Sequence, residues 1–151
     1  MRINGKGVFF MMQGVAREMM KQGGGRIINI ASIAGKGFSS ASNVIYAGSK
    51  GAVIAMTRVG ALQLADHNIT VNAVCPGAVA TELHKKSVSQ SAAIKGMTPE
   101  AFLQEFFIDP TPLGRMAQPL DVAQAVSFLA SDEASFITGS TLNVAGGREM
   151  H

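Results

Sequence analysis

A β-branched run, Arg26-Ile27-Ile28-Asn29-Ile30, is too short for a helix and too apolar for a half-exposed strand. Runs of this kind are typical of strands buried on both faces, as in parallel sheets. A second run of the same type is Ile69-Thr70-Val71-Asn72-Ala73-Val74. It is followed by Pro76-Gly77, which cannot continue the hydrogen-bond ladder between strands. Thr141-Leu142-Asn143-Val144, just before Gly146-Gly147, is a third short run of the same type. The sequence therefore predicts three buried strands.

Segments with the apolar spacing of helices lie before and between these strands along the chain. Apolar residues recur at spacings of three and four from Val8 until Gly23-Gly24-Gly25 ends the pattern, which predicts a first helix. A second long helix is predicted from about Val44 to Ala65, and a further one from Pro119 to Ala130. Because helices and strands alternate, the predicted fold class is α/β with a parallel sheet.

The region between Glu82 and Pro112 has only weak periodicity. One short helix is indicated there by Thr98 as its cap, Pro99 in the first turn and Glu100 behind it. The nearest thing to a basic run, His84-Lys85-Lys86, is interpreted as a solvated loop.

The composition excludes several classes of protein. With 151 residues, 47% hydrophobic and 15% charged, the chain is expected to form one compact domain. The net charge of +3 is a small excess spread along the chain, so no nucleic-acid partner is expected. No apolar run approaches the roughly 18 residues that a bilayer span requires, so no membrane partner is expected either. The single cysteine, Cys75, and three scattered histidines give no metal-ligand spacing, and they suit a reducing cytoplasm.

Tyr46 and Lys50 form the first candidate catalytic pair, because residues four apart share one face of a helix. A positive charge about 5 Å from a phenol, at an effective dielectric of about 20, favours the phenolate by about 3 kcal/mol. Tyr46 is then expected to exchange a proton with an alcohol or carbonyl oxygen near neutral pH. Ser32, at the end of the preceding strand, is placed to hydrogen-bond the same oxygen. Taken alone, such a pair also occurs on surface helices that have no catalytic role.

The order and spacing of several segments resemble the signature of the short-chain dehydrogenase/reductase family. These segments are Asn4 to Gly7, Ile27 to Gly35, Tyr46-Ala47-Gly48-Ser49-Lys50, Ile69 to Thr81, Thr138-Gly139 and Gly146-Gly147. The resemblance covers essentially all 151 residues. It implies a partial Rossmann-like doubly wound parallel sheet, made of the last three strands with their flanking helices. Residues 1–151 would be the C-terminal catalytic part of a single dinucleotide-binding domain.

The resemblance also implies roles for four catalytic residues. Tyr46 would be the general acid-base, and Ser32 would position the substrate oxygen. Lys50 would assist proton release from Tyr46, and both Tyr46 and Lys50 would contact the nicotinamide ribose. Asn4 matches the position that holds a water in a proton relay to the lysine. A helix cap is the alternative interpretation of Asn4.

Further residues match the family's nicotinamide contacts. Pro76, Gly77, Val79 and Thr81 lie in a segment that resembles the turn along the nicotinamide, where the Val79 backbone and the Thr81 hydroxyl would meet its carboxamide. The alternative is a plain turn that ends a strand. The implied cofactor is NAD or NADP.

Two positions depart from the family pattern. Ser32 and Tyr46 are fourteen positions apart, one more than is usual, and a one-residue insertion between Gly35 and Asn43 would absorb the difference. Ala145 stands where many members carry an acidic residue, so any contact made by that carboxylate is lost.

The sequence contains no glycine-rich phosphate-binding turn. Among its 17 glycines no pair is four apart, so neither the family's Gly-x-x-x-Gly-x-Gly nor the Gly-x-Ser-x-Gly of a serine hydrolase is present. We therefore expect the N-terminal glycine-rich part of the family fold to be missing and Met1 to be an internal methionine. The residue that selects NAD or NADP would lie in that part.

The expected function is NAD(P)-dependent oxidation of a secondary alcohol, polyol or sugar, or reduction of the matching ketone. The chain by itself is expected to be inactive. A non-catalytic scaffold or binding module that keeps the fold is the alternative, and the intact Ser32, Tyr46 and Lys50 argue against it. A full-length protein is expected to be a homo-oligomer, a tetramer by the resemblance, which packs through the apolar outer faces of the two long helices.

Overall fold

The computed structural model describes residues 1–37 and 43–150, within which the chain forms three strands and five α-helices. The strands are β1 (Gly25–Ile30), β2 (Ile69–Pro76) and β3 (Thr141–Val144). The helices are α1 (Val8–Gln22), α2 (Val44–Leu64), α3 (Glu82–Ile94), α4 (Pro99–Leu103) and α5 (Pro119–Ala130).

The strands form one parallel sheet in the order β1-β2-β3. Gly25 lies opposite Ile69 at the start of the first pairing, and Pro76 lies opposite Val144 at the end of the second. The predicted parallel sheet is therefore confirmed. Because parallel strands all run in one direction, the loops that follow them meet at the same edge of the sheet, here called the carboxyl edge.

Helices cover the sheet on both faces. Side chains alternate between the faces of a strand, so Ile27 and Ala73 pack towards α1 and α2, whereas Ile28 and Val74 pack towards α5. This three-layer arrangement is the predicted doubly wound one. No helix within the described residues is both long and apolar enough to cross a membrane.

Two buried asparagines connect the sheet to neighbouring parts of the chain. The Asn29 side-chain amide on β1 donates to Thr57 Oγ1 of α2 over 2.9 Å. The Asn72 amide on β2 donates to the Ile137 carbonyl over 2.7 Å, and its oxygen accepts from Ser140 N over 3.0 Å. These bonds satisfy the buried polar groups and fix the turn that leads into β3.

The first strand is less buried than its sequence predicts. Ile27 and Asn29 are buried, but Ile28 is half-buried and Ile30 is 47% exposed. The reason is that β1 pairs with β2 alone among the described residues, so it is an edge strand of this sheet.

The region between β2 and α5 is more helical than its sequence predicts. The short helix was expected and is α4, capped by Thr98 and continued by a π-helical turn, Gln104–Ile108. The longer helix α3 was not expected, and it contains the basic run that was interpreted as a loop. Only Val88 and Ala92 of α3 are buried, so its apolar face is too narrow to give a clear period.

Candidate active site

Three loops meet at the carboxyl edge of the sheet. Ser32 follows β1, Gly77 follows β2 and Ala145 follows β3. A Cβ atom on Gly77 would lie 3.2 Å from the Cα and Cβ atoms of Ala145, so the last two loops are in close contact. Ligand sites of open α/β sheets lie outside this edge.

Ser32 is held beside the helix that carries the other candidate catalytic groups. Its backbone is extended, and its hydroxyl oxygen accepts from Ala34 N over 3.2 Å, which starts a 3₁₀ turn, Ile33–Lys36. This turn lies directly on α2, because a Cβ atom on Gly35 would be only 2.6 Å from the Lys50 carbonyl carbon. The hydroxyl hydrogen of Ser32 is left to donate to a ligand.

Tyr46 and Lys50 lie on one face in the first turns of α2, as their spacing predicts. The helix begins where the Asn43 side chain accepts from Tyr46 N over 2.9 Å. Lys50 Nζ is 5.9 Å from the centre of the Tyr46 ring and donates to the Ile30 carbonyl over 2.7 Å. Tyr46 is 36% exposed.

The environment of Lys50 is partly desolvated. Burial lowers the pKa of the Lys50 ammonium, and interaction with Cys75 opposes this shift. Burial also raises the pKa of the Cys75 thiol, against the nearby charge of Lys36 and the Ser32 backbone N–H. Cys75 is fully buried and remains a neutral core side chain beneath the site.

Asn4 contacts α2 instead of capping a helix. It lies in a π-helical turn, Arg2–Gly7, whose cap position is Met1, so the cap interpretation is wrong. Its side-chain amide donates to Ser49 Oγ over 3.3 Å, and Ser49 Oγ donates to the Tyr46 carbonyl over 2.7 Å. The two bonds join the turn to the first turn of the helix that carries Tyr46.

Ser49 was missed by sequence reasoning, although it belongs to the motif that identified Tyr46 and Lys50. It is 2% exposed. A serine three residues after Tyr46 in a helix has a local signal, because its hydroxyl can bond back to a carbonyl of the preceding turn. Its second bond, to Asn4, crosses 45 positions of sequence and has no local signal.

The turn after β2 has clear structural roles. Val79 forms a parallel bridge with Ala117, and Ala80 N donates to the Ala117 carbonyl over 2.8 Å. Thr81 Oγ1 accepts from His84 N over 3.2 Å and thereby caps α3. Pro76 is the last residue of β2 and Gly77 follows it, in agreement with the alternative of a plain turn that ends the strand. The Thr81 hydroxyl hydrogen is not consumed by its capping bond.

The loop between Ser32 and Tyr46 carries one of the two departures from the family pattern. The one-residue insertion expected there, between Gly35 and Asn43, falls largely on residues 38–42, which lie outside the described residues. Within the described part of the chain, no three His, Cys, Asp or Glu side chains are grouped so that they could hold a metal ion.

A protein-family model described as enoyl-(acyl carrier protein) reductase matches residues 1–149. The chain belongs to the short-chain dehydrogenase/reductase family. It is 39% identical over 145 residues to a 3-oxoacyl-[acyl-carrier-protein] reductase of Thermotoga maritima, which covers 96% of this chain and 54% of the relative. It is 41% identical over 147 residues to an NAD-dependent glycerol dehydrogenase of Listeria innocua, which covers 97% of this chain and 53% of that relative. The chain thus spans about half the length of the curated relatives it matches.

Solved structures of the family confirm the fold. Sorbitol-6-phosphate 2-dehydrogenase from Erwinia amylovora matches 99% of this chain and 58% of its own, with a TM-score of 0.91 and 33% identity. Levodione reductase matches 97% of this chain and 55% of its own, with a TM-score of 0.88 and 32% identity. The Rossmann-like α/β architecture expected from the sequence is therefore confirmed.

Proposed function

We propose that this chain forms the catalytic part of an NAD(P)-dependent oxidoreductase that interconverts a secondary alcohol and its ketone. The observation that carries the proposal is the contact between the turn after Ser32 and the helix of Tyr46 and Lys50. This contact is between the backbone of that turn and the backbone of Lys50, one helical turn after Tyr46. Membership of an oxidoreductase family supports the same assignment.

The proposed chemistry assigns one role to each of the three side chains. In the direction of reduction, the Tyr46 hydroxyl donates its proton to the carbonyl oxygen of the substrate, and the Ser32 hydroxyl hydrogen-bonds that oxygen. The nicotinamide, when bound, supplies the hydride for the carbonyl carbon. The Lys50 ammonium stabilises the phenolate left on Tyr46. In oxidation the phenolate takes the alcohol proton.

The residues near this edge fit the nicotinamide end of the cofactor. We assign the ribose to Tyr46 and Lys50, which offer a hydroxyl and an ammonium on one helix face. The carboxamide would lie along the backbone from Pro76 to Thr81, where the Thr81 hydroxyl can still donate. Asn4 remains the proposed member of a proton relay to Lys50. The pyrophosphate needs a glycine-rich turn that the 151 residues do not contain, so we propose that such a half completes the enzyme.

The substrate proposed first is a polyol, a sugar or the matching ketone. The glycerol and sorbitol-6-phosphate dehydrogenases among the relatives support this class. A second candidate is a 3-oxoacyl thioester, which is favoured by the description of the matching family model and by the Thermotoga maritima relative. Dihydroxyacetone and acetoacetyl-CoA, assayed as alternative substrates with NADH and with NADPH, separate the two candidates.

The test uses a complemented enzyme, in which the part of the Thermotoga maritima relative that this chain does not match is joined in front of Met1 to supply the proposed glycine-rich half. We expect the wild type to reduce a carbonyl substrate. Tyr46→Phe is expected to lower kcat about a hundredfold or more while cofactor binding is kept, because it removes the proton donor but retains the ring. Lys50→Met is expected to weaken both turnover and cofactor binding. Steady-state rates and cofactor titrations measure the two effects.

Two outcomes would contradict the proposed function. Turnover by Tyr46→Phe equal to that of the wild type would remove Tyr46 from the chemistry. A complemented enzyme that binds the cofactor but turns over no substrate of either class would favour the alternative, a non-catalytic scaffold that retains the fold.

A further inference from the structure

The tail after β3, residues 145–150, packs against the chain that returns from α4. Leu113 N donates to the Gly146 carbonyl over 3.1 Å. A Cβ atom on Gly146 would lie 2.7 Å from Thr111 Cγ2, and one on Gly147 would lie 3.0 Å from Pro112 Cγ. The tail therefore touches this returning chain at the carboxyl edge, within three residues of the end of β3.

Arg148 extends this contact to the π-helical turn that continues α4. Its Nη2 donates to the Phe106 carbonyl over 2.7 Å, and its Nη1 donates to the Phe107 carbonyl over 3.4 Å. Its Cζ lies 5.5 Å from the centre of the Phe107 ring. The last carbonyls of a helix have no partners within the helix, and a cation at this end is favourable.

Phe107 also contacts α3. Its ring meets the ring of His84 edge-on, with centres 4.6 Å apart. Its carbonyl also accepts from Thr111 Oγ1 over 2.7 Å. Residues 82–108, here called the α3–α4 segment, begin directly after Thr81 and are held at their far end by Arg148. Both ends of the segment are thus anchored at the carboxyl edge.

We propose that Arg148 is a positioning residue, which clamps the α3–α4 segment at the carboxyl edge and thereby sets the affinity for the substrate. This inference rests on the proposed function, which puts the substrate at that edge. Arg148 contacts Phe106 and Phe107 and not the reacting atoms. Tyr46 and Lys50 are held by α2, so their positions do not depend on Arg148. The expected signature is a change in KM without a matching change in kcat.

The chemistry of the clamp favours arginine over lysine. Burial lowers the pKa of the Arg148 guanidinium, so removing this cation from water has a cost that hydrogen bonds must offset. The planar guanidinium offers several donors in a fixed geometry, which suits two adjacent carbonyls. A lysine ammonium keeps the charge but not this geometry, so Arg148→Lys should restore the clamp only in part.

The first measurement is amide hydrogen exchange of the complemented enzyme. Arg148→Met is expected to speed exchange in residues 104–108 and in α3, where the contacts of Phe107 lie. Arg148→Lys should give an intermediate rate. Lys86→Met, which removes an exposed charge from α3, is the matched control and should leave the exchange pattern unchanged.

The second measurement is steady-state kinetics of the complemented enzyme. Arg148→Met is expected to raise KM for the carbonyl substrate about tenfold, with kcat within about twofold of the wild type. KM for the cofactor and the effect of Tyr46→Phe should not change. Arg148→Lys should recover part of the loss in KM, which a purely structural defect would not show.

The outcomes separate this inference from the proposed function. Unchanged exchange in Arg148→Met would overturn the clamp. Faster exchange with unchanged KM, or an equal fall of kcat and kcat/KM, would overturn its role in positioning the substrate. If the wild-type complemented enzyme turns over no substrate, the proposed function and the substrate role both fail, while the exchange rates still decide whether Arg148 holds the segment.

Discussion

At the level of single residues, the site depends on a contact between two glycines. Gly35, in the turn after Ser32, and Gly51, in α2, face each other so closely that a Cβ atom on Gly51 would lie 3.2 Å from the Gly35 carbonyl oxygen. A Cβ atom on Gly35 would lie 2.6 Å from the backbone of Lys50. Backbone atoms cannot give way as the end of a flexible side chain can. The separation of Ser32 from Lys50 is thus set by the absence of a side chain at position 35.

Gly35→Ala is expected to destabilise the complemented enzyme by about 1–3 kcal/mol, as overpacking does, and to lower kcat by displacing Ser32. Gly48→Ala is the matched control, because Gly48 is exposed in the same helix and its Cβ would meet no atom within 4 Å. Gly48→Ala should stabilise the enzyme by about 0.5–1 kcal/mol. Chemical unfolding measures both changes, and equal effects of the two substitutions would show that the contact at Gly35 does not matter.

Residues of the site could be predicted from sequence where their relation is local. Tyr46 and Lys50 were placed on one face because four residues make about one helical turn. The bond from Arg148 to the Phe106 carbonyl spans 42 positions and depends on how the tail packs, which no spacing encodes. The bond from Asn4 to Ser49 was missed for the same reason.

At the level of elements, the start of α5 is fixed by a charged cluster. Arg115 Nη1 and Nη2 donate to the two carboxylate oxygens of Asp121 over 2.7 and 3.1 Å. Asp121 Oδ2 also accepts from Gln118 N over 2.7 Å, which satisfies a backbone group ahead of the first turn. The hydrogen bonds of Arg115, followed by that of Gln118, lower the pKa of Asp121 to about 2.

This cluster predicts a stability difference that depends on pH. The pKa of Asp121 is lower in the folded state than the value of about 3.9 for an unfolded chain, so its stabilising contribution is complete above that value. The contribution is lost as the pH falls towards about 2. Asp121→Asn should therefore have a lower Tm than the wild type near neutral pH, and the difference should narrow below pH ~4.

Thermal unfolding of the complemented enzyme across this pH range measures the effect of Asp121→Asn. Salt should reduce the difference at neutral pH, because the pair is exposed and screened. Asp66→Asn, at an exposed carboxylate in the 3₁₀ turn Ala65–His67, is the control. A Tm difference for Asp121→Asn that stays constant down to the lowest pH would contradict the assignment.

The sequence predicts best the helices that have a clear apolar face. Helices α1 and α5 begin and end where the sequence places them, because each carries an apolar period, which Gly23 ends in α1 and which Pro119 starts in α5. Helix α3 shows no such period, and its start depends on a side-chain bond of Thr81. The exposure of β1 was not predictable, because it depends on which strands lie beside it and not on its own residues.

At the level of the whole molecule, the outer faces of α1 and α2 are apolar. A groove of about 540 Å³ runs between them, lined by side chains that include Phe9, Met20 and Val59. Phe9 and Val59 are about half exposed, as are further apolar residues on these helices. Apolar surfaces of this kind mark sites of protein association. We therefore keep the proposal that these helices pack against a partner subunit.

Val59→Asp is expected to dissociate the complemented enzyme, because it would bury a charge in the subunit contact. Sedimentation velocity at micromolar concentration should show the wild type as an oligomer, a tetramer by the family resemblance, and Val59→Asp as a smaller species. Ile94→Asp, on the exposed end of α3, is the control. A monomeric wild type would rule out the contact between subunits.

The open side of the sheet lies at β1. Within the described residues β1 has no strand on its outer side, and a groove of about 540 Å³ runs along it between α1 and the strand. Ile3 and Met11, which line the groove, are largely exposed, and Ile30 is about half exposed. An apolar strand with an unpaired edge is a template for pairing with another chain.

The 151-residue chain alone is therefore expected to self-associate and to bind NADH or NADPH very weakly. Its open edge exposes unpaired backbone groups, and its sequence offers no glycine-rich turn for the pyrophosphate, so binding would rest on the nicotinamide end alone. Supplying the glycine-rich half should pair β1 and restore binding together, because the strand neighbour and the phosphate turn belong to the same unit. A fluorescence titration with each reduced cofactor, beside an alcohol oxidation assay, compares the chain with the complemented enzyme. Micromolar binding and measurable turnover by the monomeric chain would show that the 151 residues need no further half.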